Sequence, residues 1–527
     1  MATLYVNQSI GNDANNGTVA HPLKTIQKAS NLVIPNDGVI VSAGIYPERV
    51  TVSRSGISGN EISFTADGTV ECRGFTVNAD YILVNGLKVT ATEASYSAPA
   101  YGIYVTGKYC TIENNYAYYS PRGGIYLTPS SSYCIVRNNR CHRNGTDGMV
   151  VDGSSHLIDN NEVWGSIFYH TPTGLNAGDA DGIRFFGSGH IFRGNYIHDI
   201  KYDDPENVGY DPHIDGFQTW TDSNHAAASN ILIEKNLIVL PVYKTAAANG
   251  HGFMLHNCSY IIIRNNIVFT HGGINTNGYQ TGGPTHHVKI ENNTFIGRLD
   301  FTGANFPVGI SLQNCVNSCI KNNIVYNQLL NAIYIDSASL TGLEISNNCI
   351  YNENGSTPGG THYPNDLWGA NPLFVDPINL NYRLRAGSPC IDAGITLSDM
   401  TDDFESRPRP IGAGYDIGAY EYQEESMAIK TVPFTLAVTA APDFFPAILP
   451  TSLSVAKGVV AVYTVSFTAQ GGFTGPVSLA ALNLPTGAVA TFSKISINVT
   501  ETSTLSITTT AVALGTFSLT LEGTAAI

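Results

Sequence analysis

IENN at 112–115 and VRNN at 136–139 are two copies of one phrase: an aliphatic residue, a polar one, then a pair of asparagines. The phrase returns as IDNN at 158–161, IRNN at 263–266, IENN at 290–293, IKNN at 320–323 and ISNN at 345–348, with degenerate copies at Asn85-Gly86, Gly194-Asn195 and Lys235-Asn236. A second phrase alternates with it: GIYV from Gly102, GIYL from Gly124, GMVV from Gly148, DGIRF from Asp181, DGFQT from Asp215, HGFML from His251 and VGISL from Val308. Short β-branched strands closed by turn residues and repeated as one unit are the signature of a solenoid. With inward aliphatics and stacked asparagines, the unit reads as a right-handed parallel β-helix. Asn suits its corners because it tolerates the left-handed backbone region, and its amide can bond the Asn one coil away. The spacing therefore predicts coils over 70–355, with Asn114, Asn138, Asn160, Asn265, Asn292, Asn322 and Asn347 at corners on one side.

The repeat glycines also measure the coils. Gly102 to Gly124 is 22 residues and Gly124 to Gly148 is 24, but the steps to Gly182, Gly216 and Gly252 are 34, 34 and 36. The central coils thus carry about ten extra residues each, and insertions on adjacent coils build walls beside one stretch of a solenoid, where binding sites usually live.

Bulk composition narrows the function. With 527 residues, 43% hydrophobic and 13% charged, the chain can bury a long core and hold more than one domain. A net charge of −15 and a pI near 5.3 argue against a nucleic-acid partner, which needs a basic footprint. Nine cysteines with no CxxC pair do not suggest a disulfide framework or zinc site, and Cys258 and Cys315 share an offset that suits stacked, reduced interior positions. No run of some twenty apolar residues predicts a membrane span. The start, MATLYVNQSIGND, has no basic n-region or apolar h-region, which fits a trimmed leader, secretion without one, or a virion component.

Four regions follow. Residues 1–70 are expected to form an N-terminal cap, with PLKTIQKASNLV at helical spacing, and the first strands. The β-helix and a closing module take 70–425, the acidic stretch QEESMAIKTVP from Gln423 runs into a linker at 426–444, and alternating strands such as VVAVYTVSF and STLSITTT make 445–527 a small β-sandwich. The opening resembles that of secreted β-helix proteins, including pectin-lyase-like enzymes. NPLFVDPINLNYRLRAGSPCIDAG with RPRPIGAGYDIGAYEY, over roughly 370–422, resembles the closing module of bacterial extracellular right-handed β-helix proteins. GPVSLAALNLPTGAVATFS and GTFSLTLEGTA resemble a bacterial immunoglobulin-like domain. These resemblances imply an extracellular or cell-surface protein and no particular activity.

In DGIRFF, DGFQTW and HGFMLH, residues one and three beyond the Gly are predicted to face the core: Ile183 and Phe185, Phe217 and Thr219, Phe253 and Leu255. The outward positions form rows, Val150, Arg184, Gln218 and Met254 in one, Asp152, Phe186, Trp220 and His256 in the other. The residues before the glycines form a third row: Asp147, Asp181, Asp215 and His251. Such a surface offers acid, base, charge clamp and sugar-stacking platform in one groove. An Asp before Gly also bonds backbone amides at a turn, and that structural role competes with the chemical one.

DADGI, HIDGF and NGHGF resemble the polygalacturonase-type glycosidases, which implies Asp181 and Asp215 as carboxylates and His251 as an assisting imidazole. Ile214 stands where the second Asp of that family's double-Asp strand belongs. Tyr210-Asp211-Pro212-His213 resembles the Asp-Pro-His element of alginate epimerases and related lyases, which implies Asp211 and His213 in proton removal, with Tyr210 or Lys201 as donor or base. Elimination needs a base near C5 and neutralisation of the uronate, by Arg184 or by a calcium ion. The acidic loop with Asp203, Asp204, Glu206 and Asp211 is the candidate calcium site, and no cofactor is the alternative. His286-His287 has no partner at metal-ligand spacing and reads as surface. The reading favours a polysaccharide lyase acting on an acidic, uronic-acid glycan, with Asp147, Gln218, Trp220, His256, Lys201 and Tyr210 touching the substrate. A polygalacturonase-like hydrolase is the second reading. A non-catalytic glycan-binding surface protein or virion tailspike is the third; the chain is expected to be a monomer or, if a spike, a homotrimer.

Overall fold

The computed structural model describes residues 2–90, 100–167, 179–207, 212–241, 250–276, 283–300 and 308–423, and in the C-terminal part 435–439, 444–450, 453, 455, 458–469, 476–498, 501–510, 512 and 518–525. The chain divides into two units, Met1–Tyr422 and Gln423–Ile527.

The first unit is a parallel solenoid whose coils each lay down three strands. One coil runs Asp147–Val151, Leu157–Asp159, Glu162–Trp164; the next repeats it as Asp181–Phe185, Ile191–Arg193, Tyr196–His198. Like strands pair in parallel from coil to coil and build three sheets, called first, second and third in coil order. The core follows from the register. Ile103, Ile125, Met149, Ile183, Phe217, Phe253, Ile274, Ile310 and Ile333 stand in line on the first sheet, all buried. Ile112, Val136, Ile158, Phe192, Ile233, Ile263, Ile290 and Ile320 do the same on the second. Each such side chain contributes about 1.5–3 kcal/mol of apolar burial, so the interior is a set of aliphatic rows added one coil at a time.

The asparagine pairs divide two tasks between them. The first member takes the left-handed conformation, at φ 57 for Asn114, 55 for Asn138 and 54 for Asn160, and so turns the chain between second and third sheets. The second is buried and forms a ladder: Asn115 Nδ2 donates to Asn139 Oδ1, Asn139 to Asn161, Asn161 to Asn195, each at 3.0 Å, then Asn195 to Asn236 at 2.9 Å. It continues through Asn266, Asn293, Asn323 and Asn348 to the Asp366 carboxylate, which ends it at 3.1 Å. The predicted corners are where the sequence put them.

The repeat glycines answer to packing. A Cβ on Gly148, Gly182, Gly216 or Gly252 would lie 2.6–2.7 Å from the carbonyl oxygen of the next coil's glycine and also strike a core side chain of the third sheet. At the corner between first and second sheets, His156 and His190 stack at 5.0 Å in the interior, and His156 N–H donates to His190 Nδ1 at 3.2 Å.

The outer face of the second sheet carries charge of alternating sign in register: Glu113, Arg137, Asp159, Arg193, Glu234, Arg264, Glu291, Lys321. Neighbours pair at 2.6 Å (Arg137–Glu113), 3.0 Å (Arg193–Asp159) and 2.9 Å (Arg264–Glu234).

The ends are closed by different means. The predicted N-terminal helix is a single short turn, Ile26–Ser30, capped by Thr25, with Ile26 and Ala29 buried. The closing module is held by Arg409, fully buried, which pairs with Glu421 at 2.6 Å and donates to Asn265 Oδ1 at 3.1 Å and to the Gly418 carbonyl at 2.7 Å. All nine cysteines are buried and unbridged, Cys258 and Cys315 among them.

The second unit has two four-stranded sheets around a shared core that includes Tyr463, Val465, Phe467, Val477, Leu505, Ile507 and Leu521. It takes in Thr435–Thr439, a stretch the sequence reading assigned to the linker, which pairs in parallel with the strand at 518–525.

Candidate active site

The outer face of the first sheet gathers most of the residues singled out by sequence. Arg184 is at its centre. Its Nε lies 3.1 Å from Asp147 Oδ1, and its Nη2 reaches Asp181 Oδ2 at 2.8 Å and Asp179 Oδ2 at 3.1 Å. The guanidinium also lies over the Trp220 ring, 4.8 Å from its centroid. Arg184 is the residue expected to meet the carboxylate of a substrate, and in the structure it is engaged by the protein itself. Three protein carboxylates already surround it, and they hold its proton more firmly than burial opposes it.

The Asp row is buried: Asp147 is 2% exposed, Asp181 0% and Asp215 1%. Burial pushes the Asp147 carboxyl up to about 7 against the pull of Arg184, and pushes Asp181 well above the carboxylate range for the same reason. Asp181 Oδ1 accepts the Asp215 backbone N–H at 2.9 Å, and Asp215 Oδ1 accepts the His251 N–H at 3.2 Å. Gln218 donates to the other Asp215 oxygen at 3.2 Å. Asp181 and Asp215 therefore carry the backbone role named as the competitor of the catalytic one. A carboxylate enclosed in this way has little surface left for a sugar.

The solvent-reachable groups stand beside this row. His213 has a 68% exposed side chain, with Nδ1 3.5 Å from Asp179 Oδ1, and the two residues bridge as neighbours on adjacent coils. The Asp179 carboxylate holds His213 above the usual imidazole value. His251 is partly buried, its Nδ1 3.3 Å from Asp215 Oδ1. Trp220 is half-buried, edge-on to Phe186 at 4.9 Å, and its Nε1 donates to Asp222. His256 is half-buried one coil on.

Sequence reasoning missed three participants. Asp179 stands two residues ahead of the repeat position, in the same DADG phrase that pointed to Asp181. Tyr104 and Tyr126 stand in the register column of Val150 and Arg184, two coils and one coil before Val150, and their half-buried rings meet edge to face at 5.5 Å. Carrying the outward row back to GIYV and GIYL finds both.

The described carboxylates of the acidic loop are not arranged for calcium. Arg143 takes Asp204 with two bonds, at 2.9 and 3.1 Å, and Glu206 at 2.7 Å, so a guanidinium already neutralises those carboxylates. Asp203 is exposed in the same turn. Among the described residues no group of three or more His, Cys, Asp or Glu is placed to hold a metal ion. Lys201 is exposed, and its carbonyl accepts from Asn207 at 2.8 Å. Tyr210 and Asp211 lie outside the described residues, as do 168–178 and the rest of 208–211 in the long central coils. Among the described residues no helix is long and apolar enough to cross a membrane.

Residues 37–238 match the family described as the right handed beta helix region. The chain is 28% identical over 169 residues to the uncharacterized protein YwoF of Bacillus subtilis (strain 168), covering 29% of this chain and 31% of that protein. It is 26% identical over 169 residues to pectate lyase L of Dickeya chrysanthemi, covering 27% and 38%. The chain thus spans about a third of the length of the curated relatives it matches. Among solved structures, pectate lyase Pel9A aligns with a TM-score of 0.50 at 18% identity, over 80% of this chain and 97% of that one. XylC in complex with xylose aligns with a TM-score of 0.52 at 12% identity, over 80% and 98%. The solenoid is a right-handed parallel β-helix.

Proposed function

We propose that the protein is an extracellular polysaccharide lyase working on the first-sheet face, with His213 as the base. The observation that carries this is the His213–Asp179 pair: an exposed imidazole whose Nδ1 faces a carboxylate. Donating Nδ1–H to Asp179 leaves Nε2 as the basic nitrogen, the arrangement a general base needs. In this reading Nε2 takes the proton from C5 of a uronic acid, the C4–O4 bond breaks, and the imidazolium returns the proton to the departing oxygen. Hydrolysis by an acid and a base carboxylate has weaker support, because Asp147, Asp181 and Asp215 are enclosed and Asp179 is the carboxylate within reach of solvent.

The charge around the base narrows the substrate. Elimination requires that the C6 carboxyl be neutral or neutralised. Arg184 is taken by three aspartates, and Arg143 already holds Asp204 and Glu206 of the acidic loop. A free uronate would meet an excess of carboxylates on this face. The substrate class that fits is a uronic-acid glycan whose C6 groups are esterified, with Tyr104, Tyr126 and Trp220 as stacking surfaces. The curated and structural relatives named as pectate lyases support the reaction class and leave the esterification to be tested.

The test is incubation with esterified and free uronic-acid polysaccharides and with neutral ones, following both the ultraviolet absorbance of the unsaturated product and reducing ends. Absorbance that grows fastest on the esterified polymer is the expected result. Reducing ends without absorbance would replace elimination by hydrolysis, and binding without either would make the chain a glycan-binding surface protein.

A further inference from the structure

A cleft of about 750 Å³ lies on the second sheet, a different face of the solenoid from the site above. That volume is within the ~300–1,000 Å³ of small-ligand sites. The floor is the outer surface of several coils, and the wall is the closing-module segment 396–399. This wall is pinned in place. Arg264 donates to the Asp399 carbonyl at 2.6 Å, Lys289 Nζ to Asp399 Oδ2 at 3.1 Å, and Asn265 to the Asp402 carbonyl at 2.8 Å.

Two features of the lining point to a ligand. Glu291 is 3% exposed; its Oε1 receives the Cys319 thiol at 3.4 Å, and its Oε2 is buried without a hydrogen-bond partner. In the alternating charge row it stands between Arg264, which turns to Glu234 and the Asp399 carbonyl, and Lys321, which turns to Glu344. A buried carboxylate oxygen in that position lacks a donor. At the rim, Tyr260 is 51% exposed and stacks one face on His287 at 4.5 Å and 20°. The corner before it carries Asn230, too short to cover the other face of the ring.

We infer that this cleft is a second, non-catalytic saccharide site, in which one sugar unit stacks on Tyr260 and donates a hydroxyl to Glu291 Oε2. An aromatic platform beside fixed polar groups is how a site takes a hydroxyl-rich, weakly charged ligand. The charge balance selects the class. Lys289 and Lys321 are already held by Asp399 and Glu344, so with Glu291 the cleft has three carboxylates against two ammonium groups, which favours an uncharged sugar unit over a free uronate. The inference rests on the reading that the protein handles glycans, and it adds a point where the polymer is held away from the reacting bond.

The test uses the full chain carrying His213→Ala, so that the polymer survives, and measures its affinity for the esterified polysaccharide by calorimetry and affinity electrophoresis. Adding Tyr260→Ala, or the isosteric Glu291→Gln, is expected to weaken binding by about fivefold or more. In the otherwise native chain the same changes should raise KM on the polymer while leaving kcat/KM on short oligosaccharides unchanged. Lys289→Ala, at a half-exposed position, keeps the test open if Glu291→Gln fails to fold. Polymer cleavage with affinities within about twofold of the parent in all three variants overturns the second site and leaves the lyase intact. A wild-type chain that neither cleaves nor binds any glycan removes both.

Discussion

His213 presents its imidazole to water while Asp179 fixes one of its nitrogens, so its protonation is the quantity to follow. The base must be neutral to act, and Asp179 raises its pKa, so kcat/KM should climb with pH through a value above the ~6.5 of a free histidine. Asp179→Asn should move that limb to lower pH and reduce the rate, whereas His213→Ala should abolish turnover with the melting temperature nearly unchanged. A limb that stays in place in Asp179→Asn would take Asp179 out of the mechanism. This detail was only partly legible. The shared register of Asp147, Asp181, Asp215 and His251 follows from the repeat. The saturation of Arg184 does not, because it depends on a side chain reaching back across a coil and sideways to Asp179, outside the repeat. Once the glycines are seen to be required for space, the Asp in front of each is a separate choice, and two of those choices serve the next coil's backbone.

Among the elements, the asparagine ladder and the histidine corner make the strongest claims. Asn195 donates to Asn236 Oδ1 and the Ile158 carbonyl and accepts from the Asn161 backbone and side chain. Asn195→Ala orphans several buried groups at ~1–3 kcal/mol each, and should speed amide exchange in the flanking coils before it unfolds the ends. Uniform exchange across all coils would contradict a ladder that acts locally. His190 is neutral in the fold, its pKa lowered to about 3 by burial and then by His156. A basic group depressed in this way keeps its full contribution above the unfolded value of ~6.5 and loses ~1.4 kcal/mol per unit as pH falls below it. His190→Gln should therefore flatten the acid side of the stability curve, as followed by denaturant titration at several pH values. The coils were legible because a two-residue corner and an aliphatic row recur in every one. The N-terminal cap was less so: its helical spacing spans twelve residues, yet packing on the first strands leaves a helix of five.

For the whole molecule, the division at residue 422 predicts that 1–423 folds and turns over substrate without the C-terminal unit. A truncated chain that aggregates, or melts several degrees lower, would mean that the two share a core. Within the solenoid, the alternating charges of the second sheet have a consequence for how such a molecule can grow or shrink. Excising the coil that carries Arg193 sets Asp159 against Glu234, like against like. Excising it together with the coil of Glu234 sets Asp159 against Arg264, and the alternation is whole again. Each surface pair contributes only ~0–1 kcal/mol, but the mismatched junction replaces an attraction with a repulsion at a partly buried position. The aliphatic rows and the asparagine ladder accept any number of coils. The charges alone count them, and they admit changes of length by even numbers.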